Sequence, residues 1–188
     1  MEPYFIINLV VLVTLFVVLT LLVWKLSNRL MLNKQMNLTK LFLLGAVSFI
    51  LIGGFATGNS AIDIQLHDTY FVIAHAHILM GTALIFAICA GFYYLFPVFF
   101  KREINETMGK IHFTAMVFIV CALYLSMRYI GIVGVPRRYY QVNNYDAFAS
   151  INSLYNAIAG FGIAFALIQI IPFINAIYSL IYGKRIIR

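Results

Sequence analysis

The stretch that decides the fold is YFVIAHAHILMGTALIFAICAGFYYLFPVFF, residues 70–100. It stays apolar for longer than the roughly 20 residues that carry a helix across a hydrocarbon core of about 30 Å. Working outward, four more apolar runs stand out at 4–24, 41–57, 113–132 and 157–182, each followed by polar or Gly- and Pro-bearing residues. Backbone N–H and C=O groups in lipid must find partners inside their own segment, so each run is expected to be a helix. The reading is an all-α membrane protein of about five transmembrane helices.

Composition agrees. Of 188 residues 63% are hydrophobic and only 10% charged, with a mean hydropathy of +0.96, too few charges for a water-facing surface. A separate soluble domain is excluded, and the lipid bilayer is the expected surrounding. The net charge of +7 is no nucleic-acid footprint, because the thirteen Lys and Arg fall in short clusters between apolar runs. No nucleic acid is expected as a partner.

Those clusters set an orientation. Lys25, Arg29, Lys34 and Lys40 follow the first run; Lys101, Arg102 and Lys110 follow the third; Lys184, Arg185 and Arg188 follow the last. Residues 58–68 and 134–150 contain only Arg137 and Arg138 among them. By the positive-inside rule the N-terminus is outside and the C-terminus inside. Residues 1–38 read as an extra N-terminal anchor with a basic inside loop, and 39–188 as a four-helix region. The first run lacks a basic leader and is too long for a signal peptide, so it is expected to be retained. Cys89 and Cys121 lie singly inside apolar runs, without metal-site or disulfide spacing, and read as lipid-facing or packing residues.

His75 and His77 carry the chemistry. At about 1.5 Å per residue they lie roughly 10 to 14 Å into the helix that starts near Asp68, where an ionisable ring is costly without a partner. Hydrogen bonding to neighbouring helices is the plain alternative for one such histidine, but two within three positions favour a function. Helical residues are about 100° apart, so the pair diverges by roughly 200° and cannot chelate one ion. Two centres, one on each side of the helix, fit the spacing. Neutral imidazole is a common axial ligand of haem iron, and a flat apolar macrocycle belongs among apolar helices.

Other polar residues receive plainer roles. Arg137 and Arg138 oppose the positive-inside bias and therefore call for an anionic partner such as haem carboxylates, the plain alternative being a pair that stays hydrated at the interface or meets a lipid phosphate. His112 begins the fourth run on the inner side, and His77 lies roughly 30 Å along the third helix from that end, too far for His112 to complete a centre there; it is assigned interfacial hydrogen bonding. Tyr93, Tyr94, Tyr124 and Tyr129 read as interface anchors or packing residues. Gly45, Gly53, Gly54, Gly58, Gly160 and Gly162 are expected to allow close helix packing or cofactor approach.

From Thr39 onward the chain resembles the last four helices of subunit I of the haem-copper oxidases, the catalytic subunit of cytochrome c oxidase. The resemblance rests on residues 60–63, on HDTYFVIAHAH at 67–77, GFYYLFP at 91–97, KIHFT at 110–114 and GVPRRY at 134–139. It implies that His75 ligates the high-spin haem and His77 the low-spin haem, that Asp63, Arg137 and Arg138 lie at haem propionates, and that His67 and Asp68 hold magnesium together with a partner carboxylate. One or two haems of unspecified type are thus expected. The location implied is a bacterial plasma membrane or the mitochondrial inner membrane. Ala76 departs from the family, many of whose members carry an aromatic residue there.

Only about the last third of the family's subunit is represented. The copper-binding histidines and the second axial ligand of the low-spin haem are absent, so other oxidase subunits are expected as partners. Cytochrome c oxidase activity is expected only within a complex. The alternatives are a stand-alone or homodimeric haem-binding electron-transfer protein, or a non-catalytic assembly factor.

Overall fold

The computed structural model describes residues 37–57, 68–133, 135 and 152–186. The first apolar run lies outside them, as do Asp63, His67, Arg137 and Arg138. The elements in order are α1 (Asn37–Thr57), α2 (Tyr70–Val72), a π-helical segment π1 (Ile73–Leu79), α3 (Met80–Phe100), α4 (Glu106–Ile132), α5 (Asn152–Ile168) and α6 (Ile170–Tyr182). All four expected runs within the described residues are helical. Among the described residues three stretches are long and apolar enough to cross a membrane, His77–Phe100, Glu106–Ile132 and Leu154–Tyr182, and Leu38–Gly53 is a shorter apolar helix.

Local chemistry explains the boundaries. The Asn105 side chain caps α4 by accepting from the Met108 N–H at 3.2 Å, and Glu106 occupies the first turn, where the helix dipole favours a negative charge. Helix α4 therefore begins at Glu106, earlier than the apolar run at 113–132. Lys101 ends α3 in the left-handed region at φ 51°, its N–H reaching the Pro97 carbonyl at 3.1 Å. Within the run at 157–182 a one-residue turn at Gln169 divides α5 from α6, while Leu154–Tyr182 remains one membrane-crossing stretch. Pro172 supplies the reason: its ring displaces the carbonyl of Ile168 and it has no N–H to offer it.

Helix α1 packs along α3, and α4 crosses π1 and α5. The centre of the bundle is aromatic. Phe42 is fully buried, stacked on Tyr93 at 5.0 Å and edge-on to Phe113 at 5.3 Å, with Phe86 at 5.6 Å. Gly45 makes this layer possible, since a β-carbon there would sit 2.6 Å from the Phe86 ring. Lipid is as apolar as these side chains, so close packing rather than hydrophobic transfer joins the helices. Gly160 and Gly162 have nothing within 4 Å among the described residues, so they serve no close helix packing there. Residues of α5 and α6 such as Ile163, Leu167 and Phe173 are likewise exposed.

A polar seam ties α6 to the turn before α4. Buried Asn175 donates to the Asn105 carbonyl at 2.9 Å and accepts from Ser179 Oγ at 3.2 Å, while Ser179 Oγ accepts from the Asn105 N–H at 3.1 Å. Asn175→Leu would leave the Asn105 carbonyl and the Ser179 hydroxyl without these partners. We expect it to lower stability by about 1–3 kcal/mol, measurable by denaturant titration in detergent; an unchanged midpoint would mean the seam contributes nothing.

Candidate functional site

Both candidate haem histidines fall in π1, where the backbone hydrogen bonds span one residue more than in an α-helix. Such segments are rare and gather at functional sites. A wider turn turns each residue through less than 100°, so two positions apart still means nearly opposite sides of the helix. The expected two-sided arrangement therefore survives as backbone register, although the assumption of a regular α-helix does not. The side chains of His75 and Ala76 lie outside the described residues; the His77 side chain is exposed.

Several contacts hold π1 in place. Thr69 caps the short α2 by accepting from the Phe71 N–H at 3.2 Å, and the Tyr70 N–H reaches the Val135 carbonyl at 3.3 Å. That last bond joins the start of this helix to the end of α4. Gly131 on α4 lies against the backbone of Phe71, so close that any β-carbon would collide with the Phe71 N and Cα. Ala74 and Leu79 are buried on the bundle side of π1.

Arg128 is a neighbour whose role the sequence left open. Its Nη1 donates to the Tyr124 hydroxyl at 2.7 Å, and its guanidinium lies 5.2 Å from the Phe71 ring centroid and 5.9 Å from that of Tyr124. Two aromatic faces and a hydroxyl hold this charge beside the segment that precedes the histidines. Its signal was its isolation, as the sole charged residue in the run at 113–132.

His112 is corrected. It is not interfacial but wholly buried, ring against ring with Phe42 at 5.3 Å. Its Nδ1 and the Tyr93 hydroxyl share a hydrogen bond of 3.2 Å, and its buried Nε2 has no partner among the described residues. Tyr93 and Tyr124 are packing residues, whereas Tyr94 is exposed. Cys89 is buried and Cys121 partly so, both free thiols. Asp68 sits exposed at the turn before α2. Among the described residues no three His, Cys, Asp or Glu come together to hold a metal.

The face around His77 suits a flat apolar group. One turn further along, Gly81 presents no side chain and nothing lies within 4 Å of where its β-carbon would be. Met80, Leu84 and Ile88 continue the same open surface along α3. Neutral imidazole is a donor that haem iron takes.

Comparison with known proteins adds an independent observation. Residues 3–169 match the family described as Cytochrome C and Quinol oxidase polypeptide I. The cytochrome c oxidase subunit 1 of Yarrowia lipolytica is 34% identical over 149 residues, covering 77% of this chain and 26% of that protein. The alternative cytochrome c oxidase subunit 1 of Bradyrhizobium diazoefficiens is 32% identical over 155 residues, covering 80% and 26%. The cytochrome c oxidase subunit 1 of Thermostichus vulcanus is 35% identical over 154 residues, covering 80% and 27%. The chain thus spans only 26–27% of the length of these relatives.

Proposed function

The chain belongs to the cytochrome c and quinol oxidase polypeptide I family, and from that premise we propose that it supplies haem ligands within a membrane oxidase complex. His77 holds the low-spin haem on the open face of α3, and His75 holds the high-spin haem on the other side of π1. Haem, when bound, supplies a redox-active iron. The part of this chain is to hold and orient: the backbone register of π1 puts positions 75 and 77 on opposing sides, and the contact of Gly131 with Phe71 fixes the height of the preceding α2 against α4. Asp63, Arg137 and Arg138 meet the propionates.

The observation that carries this reading is the exposed His77 on an otherwise apolar membrane surface. An imidazole facing hydrocarbon alone is unfavourable, and an axial bond to iron relieves it. The surface around it is open among the described residues, so the opposite ligand, like the copper ligands, comes from outside them. Basic residues of the α3–α4 turn and the C-terminal tail gather at one end, which supports an inner C-terminus. The division at residue 38 and a bacterial plasma or mitochondrial inner membrane are parts of the same reading. Magnesium at His67 and Asp68 is not carried further, since nothing among the described residues supports it.

Affinity purification of the tagged chain from its native membrane tests the proposal. Co-purifying oxidase subunits and a haem absorption spectrum are expected. A six-coordinate haem with only this chain present would instead favour a homodimer joined through His77 of each copy. Haem-free protein that still captures oxidase subunits would make it an assembly factor.

A further inference from the structure

We propose that Arg128 is a fixed positive charge that favours the reduced form of the haem held at position 75, an inference that rests on the haem-ligand assignment above. Arg128 lies within the membrane-crossing stretch Glu106–Ile132, four positions or about 6 Å before its end. It is the sole Lys, Arg, Asp or Glu between Lys110 and Arg137. A guanidinium at such depth is costly and ordinarily extends to the interface. This one is held in place. Its Nη1 donates to the Tyr124 hydroxyl at 2.7 Å, and its guanidinium carbon lies 5.2 Å from the Phe71 ring centroid and 5.9 Å from that of Tyr124. Both rings are themselves fixed, Phe71 at 5% exposure and Tyr124 at 3%.

The charge is also unbalanced within the described residues, none of which forms an ion pair with Arg128. Glu106 pairs with Lys110 at 3.5 Å, and Glu103 lies in the α3–α4 turn beyond the other end of α4. Asp68, three positions before Phe71, is exposed at the turn that precedes α2, where water and salt screen it. The guanidinium therefore acts on its surroundings as a net cation.

Backbone register decides which haem feels it. Four positions separate Phe71 from position 75, and four steps of about 100°, or somewhat less within π1, return to nearly the same side of the helix. Position 77 falls on the opposite side. The rise over four residues is about 6 Å, so a charge stacked on Phe71 stands on the order of 10 Å from an iron held at position 75. Oxidation of haem iron adds one positive charge, which a neighbouring cation disfavours. At an effective dielectric constant of about 20, a unit charge at that distance shifts a one-electron equilibrium by roughly tenfold.

The test is a spectroelectrochemical titration of the full chain in its native oxidase complex, followed separately at the high-spin and low-spin haem bands. Arg128→Met removes the charge and keeps most of the side-chain length. At a fixed potential it should lower the ferrous-to-ferric ratio of the high-spin haem by roughly tenfold, with a smaller change at the low-spin haem across π1. Arg128→Lys keeps the charge and should restore most of the ratio. Tyr124→Phe deletes only the hydroxyl that anchors the guanidinium and should give a smaller fall of the same sign; it decides the matter where Arg128→Met does not assemble. An unchanged ratio in these charge-removing and anchor-removing variants would overturn the proposal. So would equal falls in Arg128→Lys and Arg128→Met, which assign Arg128 a packing role, or equal falls at both haems, which place the charge off the position-75 side. A wild-type complex without haem at position 75 ends the ligand assignment and the proposal with it, whereas a loaded complex with an unmoved ratio ends the proposal alone.

Discussion

His77→Ala is expected to remove the low-spin haem while leaving the fold in place. The His77 side chain is exposed and lies outside the buried aromatic layer, so its truncation creates no internal cavity. What it removes is the imidazole on that face of π1; Leu84 and Ile88 offer the iron no donor, and Met80 only a thioether sulfur. The pyridine haemochrome content of the purified complex should drop by the share belonging to one haem, with an unchanged melting temperature for the apoprotein. His75→Ala should remove the other share, and the double variant both. Full haem content in His77→Ala would end the ligand assignment, and an unaltered phenotype with both histidines replaced would point to a scaffold.

The second large effect lies at Gly131. Its position against the Phe71 backbone leaves no room for a methyl group, and a main chain cannot swing aside as a flexible side chain can. Gly131→Ala must therefore push α4 away from the start of π1, at a cost of about 1–3 kcal/mol or more. The displaced partner is the backbone that leads into His75 and His77, so haem affinity should fall together with stability. Gly91→Ala is the matched control: nothing lies within 4 Å of its β-carbon position, and the alanine should be neutral or slightly stabilising through helix propensity. Thermal melts of both variants, read beside haem content, separate the contact from a general intolerance of the substitution. Equal melting temperatures would show that α4 and π1 are not held together here.

Much of this was legible in the chain. Hydropathy is a local property and lipid is a uniform solvent, so a long apolar run becomes a helix whatever surrounds it. That reasoning located every described helix, and the isolation of His75 and His77 within such a run marked the site. It went astray where neighbours decide. The burial of His112 was not readable at all, since it depends on Phe42 and Tyr93 arriving from two other helices.

What the sequence by itself determined was the class of protein, the helical runs and the pair of ligand candidates, because each depends on residue chemistry and short-range spacing alone. The tertiary structure alone decided that those candidates ride on a π-helical segment continuing from α2, whose Phe71 backbone is pressed against Gly131 of α4. It also decided that Arg128 meets Phe71, and that His77 faces outward while His112 does not. Those outcomes depend on which distant segments pack together, and helix-to-helix packing in lipid is settled by shape rather than by hydropathy.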